Sequence, residues 1–221
     1  MGKVTDALLK GISGRIGNLV FYQENGETFV RKAPGKQSKE VKAKTSELKR
    51  ISQDVMRQTH GFLRNFKHIL KFGYQEWSKG AKKPYHEAVS FTSKHSFVFR
   101  DEVSAWKILD PSLVKFSRGG LPLPEEAWVE REEGGIRFSW KNVDLPSSAK
   151  PTDQAFLILV NENLINSVWE FHGATRENES HFLAVPFLKE EERWHAYLAF
   201  SQENLWTKKR TFSDTVYLGK V

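Results

Sequence analysis

An α+β fold is predicted, with an N-terminal β-hairpin and helical region over residues 1–111 and a seven-stranded antiparallel β-sandwich over residues 112–221. Three observations predict it. Near the N-terminus an Asn-Gly dipeptide separates two short runs rich in β-branched and aromatic residues. Apolar residues then recur at helical spacing from Val41 to Ile69. Beyond residue 112 the period changes to the alternation of half-buried strands.

The hairpin pairs Leu19–Gln23 with Thr28–Lys32 across Glu24-Asn25-Gly26-Glu27. Asn25-Gly26 is a strong hairpin signal because a type I′ turn needs two residues at positive φ. Gly11, Gly14 and Gly17 precede the first strand, where residues without a Cβ let the backbone turn sharply or approach a neighbour closely. Their Gly-x-x-Gly-x-x-Gly spacing is not a dinucleotide fingerprint, because it comes before a strand rather than after one, and no Lys-Ser/Thr pair completes a phosphate loop.

Pro34-Gly35 ends the hairpin, and a helix is expected from about Ser38 to Phe72. Val41, Leu48, Val55, Phe62 and Ile69 fall seven apart, and Ile51, Phe66 and Leu70 join them at offsets of three and four. Gly61 marks a candidate bend. A second, shorter helix is expected to begin at Pro84, a favoured first-turn residue. One helix pair cannot cover so long a stripe, so the remainder must meet the hairpin, the second half or another copy of the chain.

The expected strands are Ala127–Glu132, the alternating Ile136-Arg137-Phe138-Ser139-Trp140, Gln154–Val160, Ser167–Gly173, His181–Phe187, Arg193–Ser201 and Thr211–Leu218. Seven short strands with turn-rich connections predict a sandwich. Trp140 in the second strand and Tyr197 in the sixth resemble the core pair of a fibronectin type III-like or immunoglobulin-like module. That resemblance implies a binding or spacer module.

The chain has 221 residues, no cysteine, 16 Phe and 7 Trp. Disulfides, cysteine-zinc sites and thiol nucleophiles are thereby excluded. The formal net charge of +7 conceals a division: residues 1–100 carry 20 Lys and Arg against 8 Asp and Glu, whereas residues 101–221 carry 14 against 19. The first part is the candidate for meeting a polyanion or an acidic protein surface. The opening MGKVTDALLKGISG has no apolar core of a signal peptide, and no run approaches the roughly 18 apolar residues of a membrane helix. A cytoplasmic or virion- or particle-associated protein is expected, with no membrane contact.

No catalytic motif is complete. His86-Glu87 begins like a zinc-binding His-Glu-x-x-His, but residue 90 is Ser. Ser104-Ala105-Trp106-Lys107 matches the Ser-x-x-Lys of penicillin-recognising enzymes without either companion motif. Neither a catalytic residue, a metal ligand, a cofactor nor a small-molecule substrate is assigned, and the chain is expected not to be an enzyme. Basic residues are more informative. Arg50, Arg57, Arg64 and Lys71 are seven apart and would form a line of about 31 Å facing away from the apolar stripe. Such a line could follow a phosphate backbone. Ordinary surface ion pairs are the competing reading, since Glu47 and Asp54 stand three residues before Arg50 and Arg57. Lys79, Lys82 and Lys83 lie near Tyr74 and Trp77, which could stack on bases or simply pack. Arg31, Lys32 and Lys36 add charge to the hairpin.

Taken in order, these features resemble a family of Bacteroidota proteins classed only as a domain of unknown function. The resemblance rests on the glycine-rich hairpin ending in Phe29-Val30-Arg31, the helix carrying Gln58 and Phe62, and Phe116-Ser117-Arg118-Gly119-Gly120-Leu121. Trp140, Asp153 and the closing Ser213-x-x-x-Tyr217-Leu218-Gly219 complete it. The second glycine, Gly120, departs from the family's Ser-x-Gly-Leu element. The resemblance implies an architecture and brings no activity. Two functions are expected in competition. One is a non-enzymatic assembly or scaffold protein that self-associates, or docks on another protein, through its hairpin and long helix. The other is a nucleic-acid-binding module that uses the basic half.

Overall fold

The computed structural model describes residues 2–5, 9, 11–24, 26–36, 38, 45–77, 83–142, 148–185, 188–189, 191–204 and 206–221. Two compact units are present: Met1–Arg50 with Lys79–Ala81, and Ile51–Ser78 with Lys82–Val221.

The first unit is a four-stranded antiparallel sheet. Its strands are β1 (Gly2–Lys3), β2 (Gly14–Ile16), β3 (Leu19–Glu24) and β4 (Glu27–Lys32), in the order β1-β4-β3-β2. Ile16 pairs with Leu19, so Gly17 and Asn18 form a two-residue turn in which Gly17 has φ 56°. A positive φ at the first central position suits a type II′ hairpin. Glu24 pairs with Glu27 around a second tight turn, where Gly26 has φ 77° and Asn25 lies outside the described residues. Gly11 and Gly14 also adopt positive φ, 91° and 120°. The sequence indicates only a two-stranded hairpin, and that hairpin is flanked on both sides, by β1 on β4 and β2 on β3. Edges this short offer little for strand pairing with another chain.

The second unit is built on a sheet buried on both faces. Its helical part comprises α1 (Glu47–Leu63, whose first turn belongs to the other unit), a 3₁₀ turn Arg64–Phe66, α2 (Lys67–Gly73), a 3₁₀ turn Gln75–Trp77 and α3 (Pro84–His95). The single helix expected from Ser38 to Phe72 is therefore interrupted, and the break follows Leu63 rather than Gly61. Residues 39–44 lie outside the described residues, and Leu48 is 75% exposed. The second helix does start at Pro84. A short ladder of β5 (Phe97–Phe99) and β6 (Lys107–Leu109) follows, which no sequence signal indicated.

β7 (Glu126–Glu132), β8 (Gly135–Lys141) and β11 (Ser180–Ala184) form a three-stranded antiparallel sheet in the order β11-β8-β7. β9 (Gln154–Asn161), β10 (Ser167–Glu170), β12 (Trp194–Glu203) and β13 (Arg210–Phe212) form a second sheet in the order β10-β9-β12-β13, and β14 (Val216–Lys220) also pairs with β12. Eight strands therefore stand where seven are expected, because the closing stretch is divided at residues 213–215.

Two cores share the five-stranded sheet. On one face Ala155, Leu157, Leu159, Ala196, Leu198 and Phe200 pack with Ile136, Phe138 and Trp140 of β8. On the other, Phe156, Ile158, Val160, Tyr197 and Ala199 pack with Phe62, Phe66, Ile69 and Leu70 of the helical part. Burial on both faces explains the unbroken apolar run Ala155–Val160. Much of the helical stripe thus finds its cover in the second half of the chain, and the compact units divide at Arg50. Trp140 and Tyr197 do not form a pair. They occupy opposite cores, because neighbouring residues of β12 point to opposite faces, and Trp140 packs edge-on against Phe200 with ring centroids 5.5 Å apart.

Candidate functional site

Most of the described basic residues that the sequence singles out are exposed, but only some converge. α2 and α3 turn Ile69, Leu70, Ala88 and Val89 into the core. Lys67 and Lys71, four residues apart on α2, are left on the surface beside Lys83, Pro84, Tyr85 and His86. Together they line an open groove of about 870 Å³. Tyr85 anchors it. The Tyr85 hydroxyl lies 3.1 Å from Nδ1 of His60, and the Lys67 ammonium sits 5.6 Å from the ring centroid. Burial raises the Tyr85 phenol above its ordinary pKa, an effect opposed by the nearby Arg64 guanidinium. Among the described residues Arg64, Lys67, Lys71 and Lys83 make no ion pair with a carboxylate.

The other candidates are placed differently. Arg57 is ion-paired with Asp54, as the surface reading expects, and Gln58 also donates to that carboxylate at 2.7 Å. Arg50 is exposed in the first unit, as are Arg31, Lys32 and Lys36, and the Arg31 guanidinium lies 5.8 Å from the Tyr22 ring centroid. Lys79 and Lys82 fall outside the described residues. The aromatic residues expected to help them are engaged in packing. Tyr74 is buried, donates to the Lys115 carbonyl at 3.0 Å, and has its pKa pushed well up by desolvation. Trp77 stacks on Arg118, 4.2 Å from guanidinium carbon to ring centroid, and donates through Nε1 to the Arg118 carbonyl at 3.0 Å.

The histidines serve packing and hydrogen bonding. His68 contacts the Trp169 ring at 4.2 Å, His95 contacts Phe91 at 4.6 Å, and His195 meets the Tyr217 hydroxyl at 2.9 Å. Among the described residues no group of three or more His, Asp or Glu could hold a metal ion. Ser104 accepts from the Trp106 amide at 3.1 Å, whereas the Lys107 ammonium lies over the Phe99 ring at 5.1 Å, so this pair makes no nucleophile and base. No described helix is long and apolar enough to cross a membrane.

A second constellation joins distant parts of the chain. Ser117 donates its hydroxyl to the Ser213 carbonyl at 2.9 Å, and its amide donates to Thr215 Oγ1 at 2.7 Å. Gly119 donates to Asp214 Oδ1 at 3.2 Å, and Asp214 is ion-paired with Lys115. Phe212 donates its amide to Glu76 Oε2 at 2.8 Å. Elsewhere in the second unit the buried Arg176 guanidinium lies 3.4 Å from the buried Asp153 carboxylate and 3.8 Å from the Phe200 ring centroid.

A family described only as being of unknown function, DUF6266, matches residues 11–219. The chain belongs to DUF6266. No curated protein and no solved structure matches it. The residues that carry the family resemblance serve architecture in this DUF6266 chain. Gln58 pins α1 to β6, donating to the Lys107 carbonyl at 2.9 Å and accepting from the Leu109 amide at 3.2 Å. Ser117 and Ser213 join two of the quoted motifs directly. Gly119 is the confined glycine of its element, since a Cβ there would lie 2.0 Å from the Phe212 carbonyl oxygen, whereas a Cβ at Gly120 would meet open space. Sequence reasoning registered the order of these motifs but not their meeting, because a contact across 96 residues leaves no local periodicity.

Proposed function

We propose that this DUF6266 chain is a non-enzymatic assembly or scaffold protein of the cytoplasm or of a particle, in which the N-terminal sheet docks on a neighbouring copy. The second unit is then a rigid lobe of the fibronectin type III-like kind. Its arrangement of a three-stranded sheet facing a sheet ordered β10-β9-β12-β13 supports that likeness. One observation carries the proposal. Of the described residues in the first unit only Phe21, Thr28 and Ala33 are buried, while Ile16 and Leu19 stand directly opposite each other on β2 and β3 at 58% and 44% exposure. A sheet with so little buried area is marginal by itself, and paired exposed aliphatics on one face gain from a partner's surface.

The test is light scattering coupled to size exclusion, at low and high salt, on the parent and on Ile16→Lys with Leu19→Lys. The parent is expected to run as a discrete multimer at both salts, and the variant as a monomer with an unchanged circular-dichroism melt. A monomeric parent, or a variant that associates as the parent does, removes the proposal.

The cationic groove favours a second reading, in which the chain binds nucleic acid through Arg64, Lys67, Lys71 and Lys83 with Tyr85 beside them. Lys67→Glu with Lys71→Glu is then expected to weaken oligonucleotide binding regardless of sequence. It should also lower the slope of log K against log salt by roughly 2, about 0.9 per phosphate contact. Equal binding by parent and variant would exclude this groove as the contact.

A further inference from the structure

We infer that the groove between α2 and the start of α3 takes single-stranded nucleic acid and not duplex, with Tyr85 stacking one base and Lys67 and Lys71 on the phosphates beside it. This rests on the nucleic-acid reading of the groove given above, and names the form of nucleic acid that the groove fits.

The cationic surface is short. The spacing of Arg50, Arg57, Arg64 and Lys71 promises a line of about 31 Å, enough to follow a duplex. The fold cuts that line down. Arg50 belongs to the first unit, Arg57 is ion-paired with Asp54, and α1 ends at Leu63. What remains is Arg64, Lys67 and Lys71, spread over about 10 Å of helix, with Lys83 on the facing side of the groove. Duplex DNA carries about one charge per 1.7 Å of its axis, and proteins that follow it neutralise about six to ten phosphates. So few cations in so small a space match a few successive phosphates of one strand.

An aromatic ring stands among those cations. Tyr85 is half-buried and lines the groove, with the Lys67 ammonium 5.6 Å from its centroid. The ring is held from behind, because it packs on the core beneath α2 and α3 and its hydroxyl lies 3.1 Å from His60 Nδ1. A ring fixed in this way can stack an unpaired base with little ordering cost. A base seated on it brings its own phosphate towards Lys67. In a duplex the bases are paired and stacked inside, so the ring has nothing to receive.

The lining agrees with a flexible anionic strand. Gln75 follows Lys67 and Lys71 at four-residue spacing, is exposed, and offers both a donor and an acceptor to a base edge. Among the described lining residues none is acidic. The carboxylate beside Gln75, that of Glu76, is taken by the Phe212 amide at 2.8 Å. A groove of about 870 Å³ is of the size that holds a small ligand. It admits a few nucleotides of one strand and excludes a double-stranded rod.

The test is fluorescence anisotropy on the full chain with labelled oligothymidylate, oligouridylate and a DNA duplex, each of about 12 nucleotides or base pairs. Either single strand is expected to bind about tenfold more tightly than the duplex, or better. Tyr85→Ala is expected to weaken single-strand binding about tenfold and to leave duplex binding unchanged. Tyr85→Phe keeps the ring and is expected to bind as the parent does. The duplex comparison is made on the parent, so it stands whatever the stability of Tyr85→Ala. A duplex bound as tightly as the single strands overturns the inference, and so does a folded Tyr85→Ala that binds them as the parent does. Where Lys67→Glu with Lys71→Glu still weakens binding in those cases, the groove reading survives. If no probe binds, or if that double variant binds every probe as the parent does, the groove reading fails and the inference with it.

Discussion

The two compact units spend their apolar residues in opposite ways. The first presents a four-stranded sheet in which Phe21, Thr28 and Ala33 are the buried described residues. The second buries β9 and β12 from both sides, with Leu157, Ile158, Tyr197, Leu198 and Phe200 all at 0% exposure. Its polar interior is paired only in part: Arg176 donates to Asn142 at 3.1 Å and to the Pro122 carbonyl at 2.9 Å besides facing Asp153, whereas Thr92 Oγ1 and Trp194 Nε1 are buried without a hydrogen-bond partner among the described residues. A unit closed in this way is insensitive at its surface and fragile within. A sheet open in the other way should tolerate local damage and respond to its surroundings. The functional proposal attaches to the first for that reason, and the sharpest stability effects belong to the second.

The largest effect should come from Arg176→Met. Removing the guanidinium strands the Asp153 carboxylate in a site where it is 1% exposed. Breaking a buried pair from one side costs about 3–5 kcal/mol. Denaturant unfolding followed by tryptophan fluorescence is expected to show that loss. Pairing Arg176→Met with Asp153→Leu should recover much of it, because two apolar groups leave no charge uncompensated. A single variant as stable as the parent would mean that the pair carries no weight in the second unit.

Glycine substitutions compare the two units on a common scale. Gly119→Ala puts a methyl 2.0 Å from the Phe212 carbonyl oxygen and 2.4 Å from Glu76 Oε2, against backbone that cannot give way. Overpacking of this kind costs about 1–3 kcal/mol or more. At Gly17 a Cβ meets open space, and the penalty is confined to the φ of 56°, about 1 kcal/mol. The measurement is the midpoint of thermal unfolding for each variant. A Gly17 variant that proved the more damaging would reverse the contrast drawn between an open sheet and a closed core.

Much of this was legible in the sequence where the signal was local. Pro84 opens α3, Gly26 turns the hairpin, and β8 alternates from Ile136 to Trp140. Misreadings arose where one face of an element was mistaken for all of it. The stripe through Phe62 and Ile69 reads as one unbroken helix whose cover could be the hairpin, the second half or another copy of the chain, and that cover is a sheet more than 80 residues later. Trp140 and Tyr197 looked like core partners because both are large residues on predicted strands, but β12 sends its alternate residues to separate cores. As for the sites, the spacing of Arg64 and Lys71 was visible, whereas the aid of Lys67 and Tyr85 comes from α2 meeting α3.

The smallest effect separates the units by pH. His181 and His195 both lie in the second unit, and burial lowers the pKa of each below the ordinary histidine value. Arg137 also lowers His181, and Lys220 also lowers His195. The folded state therefore holds fewer protons than the unfolded chain near neutrality. Stability from these groups is complete above the unfolded value of about 6.5 and is lost as pH falls through the depressed folded values. The paired carboxylates Glu132 and Glu162, lowered chiefly by hydrogen bonds from Arg137 and Lys220, contribute only nearer their own unfolded value, about 4.3. Between about pH 7.5 and 5.5 the slope should thus report the histidines. His181 accepts the Ala174 amide at Nδ1 over 3.0 Å, so His181→Asn keeps an acceptor and removes the titration. The parent's melting temperature is expected to fall across that window, and the variant's to fall less. A parent whose melting temperature held or rose on acidification would show that these imidazoles gain their protons without cost to the fold, and the second unit would be more open to water than its burial implies.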